Sequence, residues 1–158
     1  MWYNIGVPRK YNQYERMKIM KRREYLETST FHYYNANPKN KISGDCVIRA
    51  ISTALNQDYV TTYRELFELS LKTGYIVNDK KNYSKYLKLK GWEKVSQPKK
   101  DDGTKYTGSE FCRNVALPSQ RYIAHIGGHH IVAIIDAKIN DTWNSTAGCI
   151  GNYWIKEI

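Results

Sequence analysis

Cysteine is scarce in this chain and comes in an odd number. Cys46, Cys112 and Cys149 lie far apart, and no C-x-x-C pair occurs. Such spacing excludes a disulfide framework and speaks against zinc held by Cys112, His129, His130 and Cys149. Free thiols fit a reducing compartment, so the cytoplasm is the expected location, with no metal and no cofactor. Long apolar runs are missing too. Nothing approaches the roughly 20 residues of a bilayer span, so no membrane association is expected. The opening "MWYNIGVPRKYNQYERMKIMKRREYL" has no uninterrupted apolar core of the secretory-leader kind. Repeats and low-complexity tracts are also absent.

Acidic residues are few: 15 Asp and Glu stand against 25 Lys and Arg, a net charge of +10. Much of the excess falls in two blocks, Arg9 to Arg23 and Lys80 to Lys100. A basic balance concerns partners and solubility rather than fold. Neither block contains zinc-finger spacing or an RNA-binding motif. Two solvated basic faces are the plainer expectation, and nucleic-acid binding through these patches is the alternative. Tyrosine is plentiful, at 14 of 158 residues, and can fill a core while its hydroxyl stays satisfied. The length suits one domain with its own core.

Helical patterns come first. Residues 12 to 27 predict a basic helix with Tyr14, Met17, Met20 and Tyr25 on one rough face. Extended chain and a loop follow, through Pro38. "DCVIRAISTALNQ" predicts a helix with Val47, Ile48, Ala50, Ile51 and Leu55 inward. "DYVTTYRELFELSLKTG" predicts a second, weighted by Leu66, Phe67, Leu69 and Leu71 and stopped by Gly74. "KNYSKYLKLKGW" predicts a third. "TGSEFCRNVA" predicts a short fourth, because Thr107 and Glu110 have capping-box spacing. After Pro118 the segments "RYIAHI", "HIVAIID", "INDTW" and "GNYWIKEI" predict short strands, with a hairpin turn at "DAK". The expected class is α+β, with helices first and an antiparallel sheet last.

Within "PKNKISGDCVIRAIS" a thiol stands at the opening of a helix. Free N–H groups and partial positive charge at a helix N-terminus favour the thiolate, the nucleophilic form. Asp45 is placed as N-cap, and Gly44 permits a sharp entry and the close approach of a substrate. A nucleophilic thiol needs a base, and the base needs an orienting partner. "GGHHIVAIIDAKINDTW" supplies His129 and His130 before a strand, with Asp141 or Asn144 on the returning strand. Asn40, six residues before Cys46, has an amide that could join the Cys46 N–H as oxyanion donor.

These blocks resemble the papain-like cysteine peptidase superfamily in its small bacterial and phage forms. The likeness lies in the order Cys, His, Asp, in a side-chain amide six residues before the cysteine, and in Asp141-Thr142-Trp143, which is similar to the Asn-Ser-Trp of papain. "NPKNKISGDCVIRAIS" with "HIVAIIDAKINDTWNS" also resembles small uncharacterised proteins of Firmicutes and their phages. The resemblance implies a papain-like fold over 31–158, preceded by a basic helical segment at 1–30. It implies Cys46 as nucleophile, His130 as base, Asp141 as orienting acid and Asn40 in the oxyanion hole. Gly44, Asp45 and Trp143 would line the substrate site. A thiol hydrolase of phage or prophage origin, acting on a peptide, isopeptide or amide bond in a protein or peptide, is the expectation. The alternative on the same fold is a non-catalytic binder of nucleic acid or of a host-defence protein.

Overall fold

Residues two apart on a strand share a face, and here the central strands are apolar on both. The computed structural model describes residues 25–156 together with Asn12, Glu15 and Lys18. Strand β3 (Tyr122–Ile126) sends Ile123 into one core and Tyr122, Ala124 and Ile126 into another. Strand β4 (His130–Ile135) divides likewise, with Ile131 and Ala133 in the first core and Val132 and Ile134 in the second. Both faces are therefore covered.

Across the six-stranded sheet the order is β1 (Phe31–Tyr33), β5 (Lys138–Asp141), β4, β3, β6 (Ile150–Lys156) and β2 (Trp92–Val95). The architecture is α+β, with one correction to the expected order. β1 precedes the four helices that lie within 25–156 and β2 follows the third of them, so the sheet is not confined to the end of the chain. β1 also runs parallel to β5, whereas the other pairings are antiparallel. Parallel neighbours need a long crossover, so no short turn marks them in the sequence. The hairpin between β4 and β5 turns at Asp136 and Ala137, both at positive φ (50° and 55°), as its expected position requires.

Helix α1 (Cys46–Leu55) lies along β4 and buries Val47, Ile48, Ala50, Ile51 and Ala54. Helix α2 (Tyr59–Thr73) is capped by Asp58 and ended by Gly74 at φ 77°. It buries Leu66, but Phe67 and Leu71 are 50% and 71% exposed, so its apolar weight is only partly core. Helix α3 (Lys80–Leu89) adds Tyr83, Tyr86 and Leu87 to the same core. On the opposite face, α4 (Gly108–Asn114) carries Phe111 and Cys112 and opens with the expected capping box of Thr107 and Glu110. Most of the helix expected over 12 to 27, and with it the proposed segment 1–30, lies outside the described residues.

Helix α4 is held close to the sheet by a missing side chain. A Cβ at Gly108 would sit 2.6 Å from Ile139 Cδ1, 2.8 Å from Ile126 Cδ1 and 3.1 Å from the Thr146 carbonyl. Gly108→Ala is expected to lower stability by about 1–3 kcal/mol through overpacking, measurable by urea denaturation.

Candidate active site

Asp45 holds the N-cap position of α1, but its side chain does not cap the helix. One carboxylate oxygen accepts from Arg49 Nε at 2.9 Å, and the other accepts from Tyr59 O–H at 2.8 Å and Asn37 Nδ2 at 3.0 Å. Burial pushes this carboxyl up, but Arg49, Tyr59 and Asn37 together hold it below the usual carboxylate range. Asp45 thus faces the protein interior rather than a substrate. With the cap diverted, the first-turn amides of α1 receive no acceptor from it, and Cys46 opens the helix beside them.

Arg49, one turn further on, is buried and reaches in two directions. Its Nε meets Asp45, and its Nη1 meets Asp141 Oδ1 at 3.2 Å, on the far side of the sheet connection. Asp141 ends β5. Its backbone is fixed by register with Tyr33 and by the Tyr34 N–H donating to its carbonyl at 2.9 Å. Its carboxylate accepts four hydrogen bonds. Oδ1 takes Arg49 Nη1 and the Thr142 N–H (2.7 Å), while Oδ2 takes Ser145 Oγ (2.9 Å) and His130 Nε2 (2.6 Å). A carboxylate so satisfied has one orientation.

His130, the first residue of β4, therefore has its Nε2 occupied by Asp141, and the imidazole acts on the Cys46 thiol electrostatically. Burial raises the Cys46 pKa, but the imidazole and the Ile131 N–H outweigh it, and the thiol lies below its ordinary value. Burial acts on His130 in the opposite sense to its partners: Asp141 and Cys46 prevail and push the imidazole up to about 9. Trp143 lies over the ring, centroids 5.4 Å apart, and screens one face of the imidazole from water. Cys112, by contrast, is pushed up to about 12 by burial, against weaker opposition from the Ile139 N–H.

The structure brings Cys46, His130, Asp141 and Trp143 together. Asn40 lies in the exposed loop before α1, at φ 50°, where its Oδ1 accepts from Asn35 Nδ2 at 3.4 Å. Gly44 is exposed before α1, and its carbonyl accepts from Asn78 Nδ2 at 2.7 Å. Asn144 turns away, its Oδ1 accepting from Thr146 N–H and Oγ1 at 3.2 and 2.6 Å. His129 is exposed. Arg49 and Ser145 escaped notice in the sequence. A charge inside the apolar stripe of α1, four residues after an aspartate, was the available signal for Arg49; Ser145 had none.

Among the described residues no group of three or more His, Cys, Asp and Glu side chains is arranged to hold a metal ion, and no helix is long and apolar enough to cross a membrane. Comparison of the chain with protein-family models, curated proteins and solved structures finds no match.

Removing the guanidinium would leave two buried carboxylates facing each other. Arg49→Ala is expected to cost about 3–5 kcal/mol, and Arg49→Lys to recover little, since one ammonium cannot reproduce the two-sided fork. Thermal or urea unfolding of the two variants checks this.

Proposed function

We propose that this chain is a papain-like thiol hydrolase cleaving a peptide, isopeptide or amide bond, with Cys46 as nucleophile, His130 as acid and base, and Asp141 as orienting group. The observation that carries the reading is an imidazole bonded to a four-fold satisfied carboxylate at the opening of the strand beside α1, with the Cys46 thiol held low and the imidazole held high by each other. That pairing favours thiolate and imidazolium, the reactive form of such a dyad.

In this reading the Cys46 thiolate attacks the acyl carbon, and the Cys46 N–H at the opening of α1 faces the developing oxyanion. Imidazolium at His130 gives its proton to the departing amine, leaving a thioester and a neutral ring. That ring then takes a proton from water as the water attacks the thioester. Acid product leaves, and the thiolate–imidazolium pair is restored. Asp141 keeps the tautomer and ring orientation through both halves. Asn40 is the second oxyanion donor in this reading, through its Nδ2, since the bond from Asn35 occupies only its Oδ1. A setting in phage or prophage biology, with host proteins as targets, agrees with the resemblance of the two sequence blocks.

Alkylation tests the pair without a substrate. Iodoacetamide should label Cys46 well below pH 8.5, the ordinary thiol pKa of about 8.5 being the reference, while Cys112 stays unlabelled. His130→Ala should move Cys46 labelling to higher pH, read by mass spectrometry. Labelling of Cys46 that follows an ordinary thiol and ignores His130 would defeat the reading.

Turnover should carry a basic limb. The imidazole pKa is raised in the folded protein, so the protonated ring persists above neutrality and is lost as pH rises through about 9. With a panel of peptide, isopeptide and glutamine-amide probes, kcat should fall above that pH. Cys46→Ala should abolish turnover, and combining it with His130→Ala should add nothing.

A further inference from the structure

On the α3 side of the dyad lies a cleft of about 270 Å³ bordered by Lys80, Lys105, His125, Gly128, Gly151 and Asn152. Three observations attach it to Cys46. Gly128 belongs to the β3–β4 turn that leads directly into His130. Asn78, just before α3, donates to the Gly44 carbonyl and so ties the start of α3 to the start of α1. Tyr83, one turn after Lys80, packs in the same core as Cys46, and its hydroxyl lies 2.6 Å from His125 Nε2.

The charge of this cleft has one sign. No carboxylate lines it, and among the described residues none forms a salt bridge with Lys80, Lys94 or Lys105. Lys80 is held below its ordinary value by burial and by Lys94, so the two ammonium groups repel unanswered. The nearest acid on α3, Asp79, is engaged as N-cap to the Lys81 N–H at 2.7 Å. His125 is kept neutral by burial and by the same lysines, at about 4. With Nε2 at the Tyr83 hydroxyl, its Nδ1 has no partner among the described residues. The floor is bare: a Cβ at Gly151 would come 3.1 Å from His125 Cβ, and Gly128 has φ 97°.

We propose that this cleft is an anion subsite, which directs the thiol toward substrates carrying a carboxylate next to the bond attacked. The proposal rests on the hydrolase reading and specifies its substrate class. The two are separable with a pair of reagents of nearly equal size, iodoacetate and iodoacetamide, reacting with the full chain and followed at Cys46 by mass spectrometry. Both displace iodide at the thiolate; only the first is an anion. The ratio of their rates is expected to fall about fivefold when Lys80 and Lys105 are both changed to Gln, the size expected for two screened charges, and to fall likewise in the native chain at 1 M salt. Lys88→Gln, two turns along α3, should leave the ratio unchanged. Each single Gln variant, at an exposed position, should give an intermediate ratio should the double variant unfold. A ratio unmoved by charge removal and salt, with iodoacetamide still fast, overturns the subsite and leaves the hydrolase reading standing. Slow reaction with both reagents at neutral pH overturns both.

Discussion

Everything at the candidate site depends on one buried guanidinium. Arg49 ties Asp45, at the head of the helix that carries the thiol, to Asp141, at the end of the strand that orients the imidazole. Helix and sheet edge could slide relative to each other on apolar contacts alone, because burial is not directional. Two charge-assisted hydrogen bonds to fixed carboxylates remove that freedom. A buried ion pair contributes little net stability after desolvation, so its contribution here is registry. Two carboxylates against one guanidinium also leave negative charge beside His130, which favours imidazolium.

The chain contains a comparison that isolates the cause of the lowered Cys46 pKa. Cys46 is half-buried and Cys112 fully buried, so burial opposes ionisation in both. Each thiol meets a strand N–H, Ile131 for Cys46 and Ile139 for Cys112, but only Cys46 has an imidazole acting on it, and the two pKa values depart in opposite directions. Position within a helix matters as well. Cys46 begins α1, whereas Cys112 lies inside α4, where the backbone amides are already bonded. Partner geometry, rather than residue type, separates the thiol held low from the one pushed up.

The two flanks of the dyad differ in character. Toward Trp143 the surface is apolar, lined by Ile126, Ala147 and Gly148 beside His130. Toward α3 it is basic and glycine-floored. The β3–β4 turn, with Gly127 and Gly128 at φ 60° and 97°, separates the flanks and lets the chain reverse immediately before His130.

Local physics made much of this legible in the sequence. Four helices followed from apolar spacing and end signals: Gly74 and the Thr107–Glu110 box act within a few residues of themselves. The hairpin bringing Asp141 back toward His130 was visible for the same reason, since β4, its two-residue turn and β5 are contiguous. Non-local decisions were not visible. Three-residue β1 joins the sheet only because β5, over a hundred residues later, offers it a parallel edge. Asp45 looked like an ordinary N-cap, and only the approach of Tyr59, Asn37 and Arg49 turned its carboxylate inward. Asn40 has a fixed offset from Cys46, but offset along an irregular loop does not by itself fix the direction of an amide. Sequence determined which groups were at hand. The tertiary structure decided which of them meet, because a hydrogen bond requires direction as well as proximity.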